Sequence, residues 1–283
     1  AGALMGLPFT KMQGLGNDFV VLDGITRPLD VDASLVRALA DRRHGVGCDQ
    51  VLLVEPSTRP GADYRYRIWN ADGGEVEHCG NGVRCAARLL HHKGLIDGAV
   101  VCFETAGGLA RVELLAPPRV AVDMGPAVLE PARIPVDAPA RAPLYPLEVA
   151  GSDYAIGAAS MGNPHAVLPV TDLDNAPVAR LGPAIEAHPR FPARCNAGFM
   201  QIIDRGHIRL RVYERGVGET PACGTGACAA VVVGVVNDWL DHRVRVDLPG
   251  GELVIDWEGE GQSVMMTGPA ERVFEGSYLT DKA

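Results

Sequence analysis

The chain has 283 residues, 47% of them apolar and 22% charged, enough to bury one large core or two ordinary ones. Its 35 acidic and 26 basic residues give a formal charge of −9, which argues against a nucleic-acid backbone as partner, because phosphate neutralisation needs clustered Lys and Arg. The longest apolar run, Ala227 to Val236, is about half of the roughly 20 residues that a membrane span requires. Seven cysteines, an odd number without the spacing of a small disulfide scaffold, point to a reducing cytoplasm. The opening AGALMGLPFTKM lacks the charged start and long apolar core of a secretory signal. These features favour small-molecule work without nucleic acid or membrane.

In chain order, short alternating or apolar runs between turn residues predict strands at Asp18–Asp23, Gln50–Val54 and Arg65–Trp69. From Gly80, apolar Val83, Ala86, Ala87 and Leu90 recur at helical spacing, with Gly94 as terminator. A strand follows at Arg111–Leu115, and the Pro/Gly-rich stretch Asp123–Pro143 reads as a crossing between halves. Further strands are expected at His207–Tyr213, Val244–Leu248 and Glu252–Trp257. Between them, Gly224 to Asn237 predicts a helix with no charge on any face, which must be enclosed by protein. Many short strands separated by turns indicate a largely antiparallel sheet.

The two halves are one phrase repeated. Cys223 lies 144 residues after Cys79, and that shift lays Tyr64–Gly82 over Ile208–Gly226. Arg65 then meets Arg209, Arg67 meets Arg211, Trp69 meets Tyr213, and Glu75 meets Glu219. A shift of 146 lays GLGNDFVVL from Gly14 over SMGNPHAVL from Ser160. Two matches in the same order imply duplication into two similar domains, 1–123 (with 269–283 returning to it) and 124–268.

Cys79 and Cys223 each precede a glycine-containing helix start. The exposed amides and positive dipole end there favour an anion and ease ionisation of a thiol below its ordinary value of about 8.5. The following glycines allow a ligand close to the backbone. Two such halves facing each other across a cleft would aim two thiols at one carbon, the arrangement that inversion of a stereocentre requires. Cys85, Cys102 and Cys228 read as small hydrophobes; Cys48 and Cys195 suggest no chemistry.

Other chemistries fit less well. A metal site built from His78, Cys79, Cys85, His91 and His92 lacks the close cysteine pairs of structural zinc. GTGACA followed by Asp247 satisfies a dinucleotide fingerprint, but the preceding strand carries Arg209, Arg211 and Glu214 instead of a buried apolar run. The lysines, Lys11, Lys93 and Lys282, have no context suited to pyridoxal phosphate.

The phrases KMQGLGNDFVVLD, GCDQ, WNADGGEVEHCGNGVRC, GNPHAV, YERGVGETPACGTGACA and MTGPAERVFEG resemble those of diaminopimelate epimerases over nearly the whole chain. The resemblance implies an α+β fold of two pseudo-symmetric domains, each a mixed, mostly antiparallel sheet wrapped around a central helix, with the active site in the cleft between them. It implies interconversion of LL- and meso-diaminopimelate, on the route to lysine and peptidoglycan, by a cytoplasmic homodimer without cofactor or metal. Cys79 and Cys223 resemble the paired acid and base, with His165 and Glu214 also catalytic. Gly80, Asn81, Gly224 and Thr225 resemble the cradle for the reacting carboxylate. Asn17, Gln50, Asn70, Asn163, Asn196, Glu214 and Arg215 match substrate-contacting side chains, Arg215 offering a planar fork to the far carboxylate. RCNAGF departs from the usual pattern, which has an aliphatic residue before Asn196 and an acidic or polar one after it. Proline racemases share the two-cysteine architecture, but a cyclic imino acid has no use for Arg215 and the asparagines.

Overall fold

A computed structural model describes residues 6–76 and 79–279; His78 of the candidate metal cluster and Lys282 of the candidate cofactor lysines lie outside the described residues. The chain forms two compact units, dividing between Val122 and Asp123 and again between Thr267 and Gly268.

The first unit runs β1 (Leu7–Gly14), β2 (Asn17–Asp23), α1 (Ala33–Ala40), β3 (Gln50–Pro56), β4 (Tyr64–Asn70), β5 (Glu75–Val76), α2 (Gly80–His92), β6 (Val100–Thr105), β7 (Gly108–Leu114) and β8 (Arg119–Pro126). In the second follow β9 (Tyr145–Val149), β10 (Ser152–Ser160), β11 (Pro164–Pro169), α3 (Val178–Glu186), β12 (Asn196–Asp204), β13 (His207–Glu214), β14 (Gly218–Thr220), α4 (Gly224–Val236), β15 (Arg243–Leu248), β16 (Gly251–Asp256) and β17 (Ser263–Pro269). The last strand, β18 (Glu271–Tyr278), returns to pair antiparallel with β1.

The pairing repeats. β1–β2, β3–β4, β4–β5, β6–β7 and β7–β8 are antiparallel, while β2–β3 and β4–β6 are parallel. In the second unit β10–β11, β12–β13, β13–β14, β15–β16 and β16–β17 are antiparallel, and β11–β12 and β13–β15 parallel. Each sheet is therefore mixed and mostly antiparallel, with the crossovers in the same places.

Each sheet covers its second helix from several sides. α2 packs on β1, β2, β3, β4, β7 and β18, and α4 on β10, β11, β12, β13 and β16. The charge-free sequence of α4 fits this enclosure: Gly226 to Gly234 is buried without a break. α2 is enclosed too, and takes Arg84 and Arg88 into the interior with its apolar residues. The helical periodicity puts those arginines on a polar face; the sheet buries them because backbone carbonyls meet their guanidinium groups. The opposite face of each sheet is packed by the first helix, α1 on β3 and α3 on β12 and β13. Strands between two helical layers need apolar residues on both faces, which explains the unbroken FVVL of β2.

The correspondence of Arg67 and Glu75 with Arg211 and Glu219 is structural. Each arginine makes a bidentate bond to its glutamate across a hairpin, at 2.8 and 2.8 Å in the first unit and 2.6 and 3.0 Å in the second. These clasps hold the short strands β5 and β14 that lead to the two cysteines.

Candidate active site

In the first unit β2 begins at Asn17, β3 begins at Gln50 and β4 ends at Asn70. With β2 and β3 parallel and β4 antiparallel to them, these residues come to one end of the sheet. Gln50 faces Asn70 in register, and its Nε2 donates to Asn70 Oδ1 at 2.9 Å.

Cys79 is the N-cap of α2, and its thiol donates to Asn17 Oδ1 at 3.7 Å. Asn81 Nδ2 reaches the same oxygen at 3.3 Å. The orientation of Asn17 is set from its other side: Nδ2 donates to Asp49 Oδ2 at 3.0 Å, while Asp49 Oδ1 pairs with Arg42 at 2.9 Å. An ionised carboxylate only accepts, so Asn17 turns its carbonyl towards the sulfur. Arg84 is fully buried and braces the helix start by donating to Asn81 Oδ1 at 2.7 Å and Pro269 O at 3.1 Å. The sequence reading singles out neither Asp49 nor Arg84. Asp49 lies in GCDQ and Arg84 in WNADGGEVEHCGNGVRC, but the partners that give each its role, Asn17 and Pro269, are distant in the chain.

The second unit assembles a larger group. Cys223 caps α4; its sulfur accepts from Gly226 N at 3.4 Å and lies 3.7 Å from Thr225 Oγ1. Asn163 Nδ2 donates to Thr225 Oγ1 at 3.4 Å, and Asn163 Oδ1 lies 3.0 Å from His165 Nε2. His165 is buried, and desolvation together with the Arg215 charge pushes its pKa down to about 3. It is therefore a neutral imidazole that donates through Nε2 to Asn163, and its path to the sulfur runs through Asn163 and Thr225.

Glu214, at the end of β13, accepts from the Thr220 hydroxyl. Burial raises its pKa, and hydrogen bonds from Thr220 and Cys223 draw it partly back. The expectation of an easily ionised thiol at the α4 start is overturned for Cys223. Burial lifts its pKa well above the ordinary value, the Glu214 charge adds to that, and the contacts from Thr225 and Gly226 offset only part. A helix terminus contributes about 0.3–1 kcal/mol, less than the several kcal/mol that desolvating a charge costs.

Asn196, the first residue of β12, is buried and spends its amide on the backbone: Nδ2 donates to Pro164 O at 3.0 Å and Oδ1 accepts from Arg215 N at 3.0 Å. It is a strut under the turn that carries Arg215, whose Nη1 donates to Ala193 O at 2.9 Å. Cys85 and Cys228 are buried, as expected of small hydrophobes, while Cys102 is only half-buried.

Sequence comparison places the chain in a family. The family model described as diaminopimelate epimerase matches residues 9–130 and 157–273. A diaminopimelate epimerase of Alkalilimnicola ehrlichii is 59% identical, covering 98% of this chain and 100% of that protein. Another, of Halorhodospira halophila, is 61% identical over 95% of this chain and 93% of its own. The fold is also that of a probable proline racemase from Agrobacterium radiobacter, with a TM-score of 0.67 at 18% identity, covering 97% of this chain and 93% of that one. Each of the two matched segments of this chain contains a cysteine at a helix start, and with identity near 60% over almost the full length the chain belongs to the diaminopimelate epimerase family.

Proposed function

We propose that the protein interconverts LL- and meso-diaminopimelate, with Cys79 and Cys223 as the acid and base on opposite faces of Cα. The observation that carries this reading is the repeated one: in each unit a cysteine caps the enclosed helix, with the leading amides of that helix beside it. One sulfur, as thiolate, takes the Cα proton, and the other, as thiol, then delivers a proton to the opposite face. The carbanion formed between the two transfers spreads its charge into the adjacent carboxylate. The leading amides of Gly80, Asn81, Gly224 and Thr225 have no acceptor within their helices and are suited to hold that carboxylate.

Glu214 stands beside Cys223 with a raised proton affinity and is the group suited to take the thiol proton when Cys223 acts as base. His165 orients Asn163 and Thr225 without carrying charge. The far end of the substrate falls to Arg215, Asn17, Gln50, Asn70 and Asn163, with Asn196 acting as the strut that carries Arg215 and the guanidinium pairing with the second carboxylate. In this reading the enzyme needs neither metal nor organic cofactor and works as a cytoplasmic homodimer.

The test is conversion of LL- to meso-diaminopimelate by purified, chelator-treated protein, with loss of conversion in both Cys79→Ala and Cys223→Ala. Substantial activity in either variant overturns the two-base assignment. Activity that returns only on adding metal or cofactor overturns the unaided chemistry.

A further inference from the structure

The second unit buries a carboxylate that the proposed proton transfers do not use. Glu186 is the last residue of α3, and its side chain is only 4% exposed. Its two oxygens are divided between tasks. Oε2 pairs with Arg194, whose side chain is exposed, while Oε1 accepts from the backbone N–H of Gly216 at 2.8 Å. The Glu186 carbonyl also accepts from Cys195 N at 3.1 Å.

Gly216 directly follows Arg215, in a turn closed by Val217 N donating to Glu214 O at 3.1 Å. The turn is held from three sides: Asn196 Oδ1 on Arg215 N, Glu186 Oε1 on Gly216 N, and Ala193 O on the Arg215 guanidinium. The stretch supplying two of these supports is itself unusual. Arg194 sits at φ +58°, a left-handed conformation that a non-glycine residue adopts only where its surroundings hold it. An Arg–Glu pair for surface stability has no need of a desolvated carboxylate. Burial here brings Oε1 under the Gly216 amide.

The two halves differ at these positions. With the 146-residue shift, the counterpart of Glu186 is Ala40, the last residue of α1; with the 144-residue shift, the counterpart of Arg215 is Ala71. The carboxylate and the arginine are both present in one half and both absent from the other, although the strands and helices around them are repeated.

We infer that Glu186 is a positioning residue for substrate recognition: it holds the turn that presents Arg215, and so sets how well the far carboxylate is bound. The inference rests on the diaminopimelate reading for its substrate and on the hydrogen bonds alone for its geometry. A guanidinium fixed before the ligand arrives loses less freedom on binding, so Glu186 acts on substrate affinity more than on turnover.

Two substitutions separate the roles. Glu186→Leu keeps the volume and removes the acceptor; Glu186→Gln keeps an acceptor for Gly216 and discards the charge. If the leucine variant does not fold, Glu186→Ser, too short to reach Gly216, takes its place. The first readout, amide hydrogen exchange at Gly216 by NMR, needs no substrate. Exchange is expected to speed up by about tenfold or more in Glu186→Leu and to stay near the wild-type rate in Glu186→Gln. The second readout is steady-state kinetics with LL-diaminopimelate, where Glu186→Leu is expected to raise KM by about tenfold, with kcat lowered by less than about threefold, and Glu186→Gln to recover most of the loss. Unchanged Gly216 exchange in a folded Glu186→Leu or Glu186→Ser protein overturns the inference, as does a fall in kcat with KM unmoved. No turnover by the wild-type protein overturns the functional reading instead, and the exchange experiment still decides the role of Glu186.

Discussion

Around Cys223, helix and burial act in opposite directions on one proton. The α4 start favours the thiolate, but enclosure and the Glu214 carboxylate favour the thiol. Replacing Glu214 by Gln removes the negative charge and keeps the shape, so the Cys223 pKa is expected to fall. Each unit of that fall gives about tenfold more thiolate at a fixed pH below the pKa. Iodoacetamide labelling of Cys223 near pH 8 should therefore quicken in Glu214→Gln, while the proposed role of Glu214 as proton acceptor predicts slower epimerisation. An unchanged labelling rate would show that Glu214 does not govern the sulfur. Three other thiols serve as comparators in the same experiment: burial pushes Cys48 up to about 11 and Cys85 and Cys195 up to about 12, and they should stay unlabelled in both proteins. The motif around Cys223 was legible in the sequence. Its protonation was not, because a pKa depends on the depth of burial and on a carboxylate nine residues away.

At the scale of elements, the enclosure of α4 is tight enough to specify residues on the surrounding strand. A Cβ added to Gly157 of β10 would lie 2.2 Å from Val233 Cγ1 and 3.0 Å from Val233 Cβ. Val233 is buried on the helix and has no solvent to move into. Gly157→Ala is expected to destabilise the fold by about 1–3 kcal/mol, the usual cost of overpacking. Urea unfolding measures this, and a change below about 0.5 kcal/mol, the range of ordinary surface substitutions, would mean that strand and helix separate easily. The charge-free helix was legible because a helix apolar all round has to be surrounded. The need for glycine at position 157 was not, since it depends on which strand residue faces which helix residue.

For the molecule as a whole, the response to acid follows from carboxylates held ionised by their partners. Asp23, at the end of β2, is 13% exposed and lies 2.8 Å from Nζ of Lys93, the C-cap of α2. Burial alone would raise its pKa, but the Lys93 ammonium and the Thr26 and Ile25 donors outweigh it and bring the value to about 2. A carboxylate depressed on folding stabilises above its unfolded pKa and loses that contribution as pH falls through the folded value. The pair is thus expected to contribute about 1–2 kcal/mol, allowing for solvent screening, at pH above about 5 and to lose it between about pH 4 and pH 2. Asp23→Asn should be less stable than wild type at pH 7, with the gap closing as the pH is lowered. Urea midpoints across that range test this, and a gap independent of pH would place the effect in packing.

The sequence by itself determined the duplication, the two cysteine-led helices, the mostly antiparallel character of the sheets, and the family. These are carried by local periodicity and by motifs repeated at nearly constant spacing, which are properties of short segments. Tertiary structure decided what depends on residues distant in the chain. Asp49 turns Asn17 towards Cys79, Arg84 reaches Pro269 185 positions away, and Glu186 props the turn that carries Arg215. Tertiary structure likewise decided that Cys223 is held as a thiol and His165 as a neutral ring. The physical reason is common to all of these: hydrogen bonds and desolvation act through space, and only the folded chain determines which groups lie close enough to exchange a proton or share one.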